Sequence, residues 1–177
     1  MKKKKEKWLN AGLTLVVVAL LAANVEVANA HNWWLWCWHK GSTLGVWVFG
    51  TNTTESNAAL NDWGSHSDVN FSMKTSHTDL SVFGGNFGAT GWWGLASVED
   101  YSYDWWHHWW WCRLQHCHAR FNTFYGGSSG DVRGVLCQEI GHCLGLQHSN
   151  DGCMGKGYFN NLNTTVPHNW SDINSKF

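Results

Sequence analysis

The stretch that decides the reading is CQEIGHCLGLQHSNDGCM, Cys137 to Met154. Val132, Val135, Leu136, Ile140 and Leu144 recur at helical spacing, so the segment from Asp131 to Leu144 is expected to be an amphipathic helix. Asp131 is its expected cap, and Gly145 its end. On such a helix Gln138, Glu139 and His142 project together. Glycine accepts the backbone angles of a sharp turn, so the chain beyond Gly145 can bring His148 back toward the same point.

Two imidazoles beside a carboxylate are a donor set for hydrolytic zinc, which takes nitrogen ligands at about 2.0 to 2.1 Å and leaves a position open for water. His142 and His148 supply the nitrogens. Glu139 supplies a base that would take a proton from the attacking water and pass it to a leaving amine.

With these residues in view, the sequence resembles the metzincin zinc peptidases, specifically small secreted bacterial proteins similar to the matrixins. Their usual pattern is H-E-x-x-H-x-x-G-x-x-H followed by a Met-turn. The resemblance implies Glu139 as general base, His142 and His148 as zinc ligands, Gly145 as turn glycine and Met154 as the Met-turn residue. Gln138 stands where the first ligand histidine is usual. Further likeness lies in GNFGATGWWGLASV (Gly85 to Val98), ARFNTFY (Ala119 to Tyr125) and PHN (Pro167 to Asn169). The bacterial branch often carries C-Q-E-x-G-H-x-x-G-L-x-H with a later Cys-Met pair, which makes Gln138 a feature of the branch and implies a disulfide between Cys137 and Cys153. The implied fold is α+β and zincin-like: a twisted mixed β-sheet, an active-site helix and a small irregular C-terminal subdomain.

An amide oxygen is a weaker zinc donor than imidazole nitrogen, so Gln138 should lower metal affinity. Three arrangements are open. Glutamine ligates through its oxygen, water fills the gap with glutamine behind it, or another residue steps in. His116 and His118, two apart on an expected strand, and Asp151 are the candidates for the last, although the two histidines read first as an ordinary hydrogen-bonded or solvent-facing pair. His107 and His108 receive no ligand role.

Outward from the motif, Gly45 to Gly50, Val69 to Met73, Leu80 to Phe83, Gly91 to Val98 and Cys117 to Tyr125 read as strands from apolar runs or alternation. Glu55 to Trp63 reads as a helix capped by Ser56 or Thr54 and closed by Gly64, and Glu99 to His108 as a loop. Residues 149 to 177 are polar and irregular apart from a short helix near Ser171 to Asn174.

The first thirty residues read differently. Five lysines within Met1 to Lys7 precede an apolar run from Ala11 to Ala23, too short for a membrane span, and Ala28-Asn29-Ala30 offers a cleavage signature. We expect a signal peptide over residues 1–30, cleaved after Ala30, secretion, and one domain over 31–177. That segment holds five of the 12 Lys+Arg and two of the 13 Asp+Glu, so the remainder carries seven basic and eleven acidic residues, net −4. This balance disfavours nucleic acid as a partner. A peptide or protein substrate, a monomeric state and no stable membrane anchor after cleavage are expected.

All six cysteines lie beyond residue 30 and could form three disulfides in an oxidising compartment, with fifteen pairings open on spacing alone. No Cys-x-x-Cys pair supports a zinc ribbon. Of the 15 tryptophans, many crowd into Trp33 to Trp38 and Trp105 to Trp111. Such clusters are either exposed platforms for sugar, peptide or partner, or core filling in a chain with few aliphatic residues. A secreted binding protein on a weakened peptidase scaffold is therefore the alternative to a zinc endopeptidase.

Overall fold

A computed structural model describes residues 43–103, 112–156 and 163–177. The expected signal segment, both tryptophan clusters, Cys37, His107 and His108 lie outside them. The elements are β1 (Thr43–Gly50), α1 (Thr53–His66), β2 (Asn70–Lys74), β3 (Leu80–Gly85), β4 (Gly94–Tyr103), β5 (Cys112–Asn122), α2 (Ser129–Cys143) and α3 (Pro167–Asn174), with single 3-10 turns at Thr123–Tyr125 and Gly152–Met154. The expected α+β arrangement is found. The five strands form one mixed sheet in the order β2-β1-β3-β5-β4, parallel except for β4, which runs antiparallel to β5 along the edge.

Alternation along the strands separates two faces. Leu44 and Val46 of β1, Leu80 and Val82 of β3, and Cys117, Ala119 and Phe121 of β5 are buried and face the helices. They meet Leu60 and Trp63 of α1 and Val132, Val135, Leu136 and Ile140 of α2 in one core. Trp63 is wholly buried, and its indole N–H finds a partner in the Cys137 carbonyl at 3.0 Å, which locks α1 to α2. The outer face carries a row of aromatic contacts: Trp47 to Phe49 at 4.0 Å between ring centres, Phe49 to Phe83 at 4.3 Å, Phe83 to Phe87 at 6.3 Å and Phe87 to Trp92 at 5.3 Å.

Several boundaries depart from the expectations. The helix cap of α2 is Ser128, and Asp131 is its partner three residues on: the Ser128 hydroxyl accepts from the Asp131 N–H at 3.3 Å while the Asp131 carboxylate accepts from the Ser128 N–H at 2.9 Å. Neither Thr54 nor Ser56 caps α1. Asn52 holds the N-cap position without a side-chain capping bond, in the left-handed conformation (φ 63°) that asparagine tolerates, and the helix runs past Gly64 to His66. β4 starts at Gly94 and continues through Glu99 to Tyr103, where a loop was expected. The charge of Glu99 is accommodated because β4 is an edge strand and Arg120 on β5 pairs with it at 2.6 Å. Met73, expected on a half-buried strand face, is 55% exposed on the outermost strand.

Two disulfides are formed among the described residues, Cys137–Cys153 and Cys117–Cys143. The first is the bridge the resemblance implies. The second ties the end of α2 to the middle of β5. Among the described residues no helix is long and apolar enough to cross a membrane.

Candidate functional site

The site is built where the last turns of α2 lie against the start of β4. A cleft there is lined by Gly94, Leu95 and Ala96 of β4, Glu139 and His142 of α2, and Gln147, His148 and Lys156 from the chain beyond. α2 ends as the sequence suggests. The Leu146 N–H returns to the Gly141 carbonyl at 2.9 Å, Gly145 adopts φ 98°, and the reversed chain carries His148 back to the helix.

His142 and His148 meet in this cleft with their Nε2 atoms 3.2 Å apart. The Leu146 carbonyl accepts a hydrogen bond from His142 Nδ1 at 2.7 Å. A carbonyl can only accept, so the proton of neutral His142 sits on Nδ1 and Nε2 keeps its lone pair. Two nitrogens sharing one tetrahedral zinc at 2.0 to 2.1 Å would stand roughly 3.3 Å apart, so the donor set fits that ion. Burial, and secondarily the nearby Lys156 ammonium, hold the His148 imidazole below its ordinary pKa, which favours the neutral form.

Glu139 is 4% exposed. Burial pushes its carboxyl up to about 8, against the opposing effect of a hydrogen bond from the Ala96 N–H. The approach of β4 to this carboxylate depends on Gly94, where a Cβ would run into Glu139 Oε1 and lie 2.5 Å from Val135 Cγ1. No periodicity marked Gly94 in advance. A glycine inside an apolar strand was the available signal, since it permits close approach of another group.

Gln138 is buried, and its Nε2 donates to the Gly155 carbonyl at 2.9 Å. That bond assigns the NH₂ arm toward Gly155 and leaves Oε1 as the arm not committed to it. Met154 lies fully buried beneath α2 against Gly141, where any Cβ would collide with its sulfur. Asp151, a candidate replacement ligand, pairs with His168 of α3 at 3.1 Å.

His116 and His118 do not join His142 and His148. They flank Cys117, whose sulfur is bonded to Cys143 on α2, so alternation along β5 puts both imidazoles on the opposite face of the sheet. There they meet His77 from the β2–β3 loop. Among the described residues these three form the group suited to hold a metal, with one ligand atom from each lying within 4.8 Å of the others. Burial is the main cause that holds His118 down, to about 4, and His116 also below its ordinary value.

No family model matches the sequence, and no curated protein matches it. The chain is similar to two solved structures, "Structure of myroilysin", at 18% identity and TM-score 0.41, and "Crystal structure of myroilysin", at 17% identity and TM-score 0.39. Each match covers 63% of this chain, and 52% and 46% of the respective solved chains. The chain thus spans about half the length of the structures it matches.

Proposed function

We propose that the chain is a secreted, zinc-dependent endopeptidase in which Glu139 is the general base and His142 and His148 hold the metal, with Gln138 in the place of a third ligand. The observation that carries this is the pair of Nε2 atoms at 3.2 Å, one fixed as an acceptor by the Leu146 carbonyl, beside a buried carboxylate in the same cleft. Zinc, when bound, supplies Lewis acidity for water and for the scissile carbonyl.

The chain's own residues perform the rest. A substrate peptide in extended conformation lies along the edge of β4 that no other described strand pairs with, where backbone groups of an edge strand can bind it. This brings its scissile bond past Gly94 to Ala96 toward Glu139. Beside a divalent cation the ionised carboxylate would be favoured over the buried neutral acid, and in that form Glu139 takes a proton from the attacking water and delivers it to the amine of the departing half. Closeness of the β4 backbone to Glu139 keeps the carboxylate away from bulk water, so the proton it carries is passed on within the cleft. The two disulfides fit an oxidising, extracytoplasmic setting.

Purified protein should contain zinc and cleave members of a broad peptide library. Glu139→Ala should retain zinc and lose cleavage. Replacing Gln138 by histidine should raise zinc affinity; unchanged affinity would mean that position 138 is not a ligand.

A second reading is favoured by one observation, the engagement of the Gln138 amide with Gly155. If that bond withholds a third ligand, the scaffold serves to bind peptide, glycan or a partner through its aromatic surfaces. Full zinc occupancy without cleavage at any pH would select this reading.

A further inference from the structure

We propose a second metal site, on the outer face of the sheet, in which His77, His116 and His118 bind a divalent transition-metal ion of the zinc class. It is separate from the cleft of Glu139 and stands whether or not the peptidase reading does.

The three residues converge from places far apart in sequence. His116 and His118 are two apart on β5, hence on one face, and His77 comes from the loop between β2 and β3. Parallel pairing of β3 with β5, which sets Leu80 against Cys117 and Ser81 against His118, is what lays that loop over the histidines. The His77 and His116 rings stack at 3.6 Å between centres, and the His116 and His118 rings meet edge to face at 4.5 Å. Three nitrogens on one tetrahedral ion need separations of roughly 3.3 Å. The three ligand atoms lie within 4.8 Å of one another, so binding an ion needs the rings to draw together, and the exposed His77 side chain is the one with most room to move.

The groups behind the rings fit metal ligation. His116 Nδ1 donates to the Thr78 carbonyl, which fixes the proton there and leaves Nε2 as the ligand atom. His118 Nδ1 lies 3.2 Å from Glu99 Oε1, the carboxylate–imidazole arrangement that orients a metal-binding histidine. Arg120 Nη2 donates both to that nitrogen, at 2.5 Å, and to Glu99, at 2.6 Å, so without metal His118 Nδ1 is an acceptor and the guanidinium must give it up for the ring to bind an ion. Ligation through His118 Nε2 therefore requires the ring to donate to Glu99, with Arg120 balancing the carboxylate. Asp79 accepts the Gly45 N–H at 2.7 Å and is not among the grouped ligand atoms, which are three imidazoles. Imidazole nitrogens select zinc, copper, nickel or cobalt over magnesium or calcium. The ion would pin the β2–β3 loop to β5 directly behind the Cys117–Cys143 bridge.

The test uses tag-free, full-length protein stripped of metal and titrated with Zn²⁺ alone, by calorimetry, in a His142→Ala/His148→Ala background that removes the other pair. One equivalent is expected to bind, and Co²⁺ in its place should give the visible absorbance of nitrogen ligation. Adding His77→Ala, an exposed loop change with little bearing on folding, should weaken binding at least tenfold, and His118→Gln should do the same. A folded double variant, verified by circular dichroism, that binds no Zn²⁺ would overturn the proposal. So would binding that His77→Ala leaves unchanged. Failure of the cleft as a zinc site would show differently, as equal stoichiometry with and without His142 and His148.

Discussion

His142 and His148 meet edge to face, ring centres 4.8 Å and Nε2 atoms 3.2 Å apart, across the turn that Gly145 makes possible. If the pair shares one ion, losing either ring removes a direct ligand. Altering a group that merely orients a ligand costs 10- to 100-fold in affinity, so His142→Ala and His148→Ala should each weaken zinc binding at this site by about 100-fold or more. Competition with a chelating dye measures this, and an unaltered affinity in either variant would remove that histidine from the ligand set.

At Glu139 burial and the proposed role as base pull apart. A carboxyl raised to about 8 is held mostly neutral at pH 7 in the metal-free protein, so an uncharged isostere suits its surroundings. Glu139→Gln should leave the thermal midpoint of metal-free protein unchanged or higher while abolishing peptide cleavage. A large loss of stability would mean that the carboxylate has structural partners beyond Ala96.

Gly94 tests how tightly β4 must approach. Gly94→Ala forces a methyl group into Glu139 Oε1 and Val135, a clash of the kind that costs about 1 to 3 kcal/mol when the surroundings are well packed. Chemical denaturation should show that loss. Cleavage should fall further than stability alone accounts for, since the proposed base is displaced.

Gly141 and Met154 should be coupled. A methyl group at 141 meets the Met154 sulfur and approaches Trp63, so Gly141→Ala alone is expected to be strongly destabilising. Met154→Ala makes room for it. The double variant should be more stable than the sum of the single changes by about 1 kcal/mol or more, a departure measurable in a double-mutant cycle. Simple additivity would show that the clash is relieved by moving something other than Met154.

Asp131 gives a pH dependence with a definite sign. Hydrogen bonds from the Ser128 hydroxyl and backbone hold its carboxyl below the ordinary 3.8. A folded-state pKa below the unfolded one contributes stability that is present above the unfolded value and disappears as pH falls through the folded one. Ser128→Ala should lower the thermal midpoint at neutral pH and flatten its dependence on pH below about 4. An undiminished acid slope in that variant would place its origin elsewhere.

Much of the candidate site was legible because it is local. Glu139, His142, Gly145 and His148 fall within ten residues, where helical geometry and one glycine turn determine how side chains are arranged. The Cys137–Cys153 bridge came from likeness to a family, and spacing alone left it among fifteen pairings. The far end of β4 was not legible, because Glu99 and Asp100 look like loop residues until the partner strand supplies Arg120. Nor was the placement of His77, which sits among serine and threonine in a polar loop with nothing near it to mark it. Only the pairing of β3 with β5 brings it to His116, across a separation in sequence that no local pattern spans.

The two disulfides have a further consequence. One fastens α2 at Cys137 to the loop holding Met154, the other fastens it at Cys143 to β5, and Glu139 and His142 lie between these anchors. Reducing agent would therefore loosen the helix on both sides of its reactive residues at once. If the cleft is the peptidase site proposed above, its competence should follow redox potential: the polypeptide is expected to be idle among reduced thiols and serviceable once its sulfurs are oxidised.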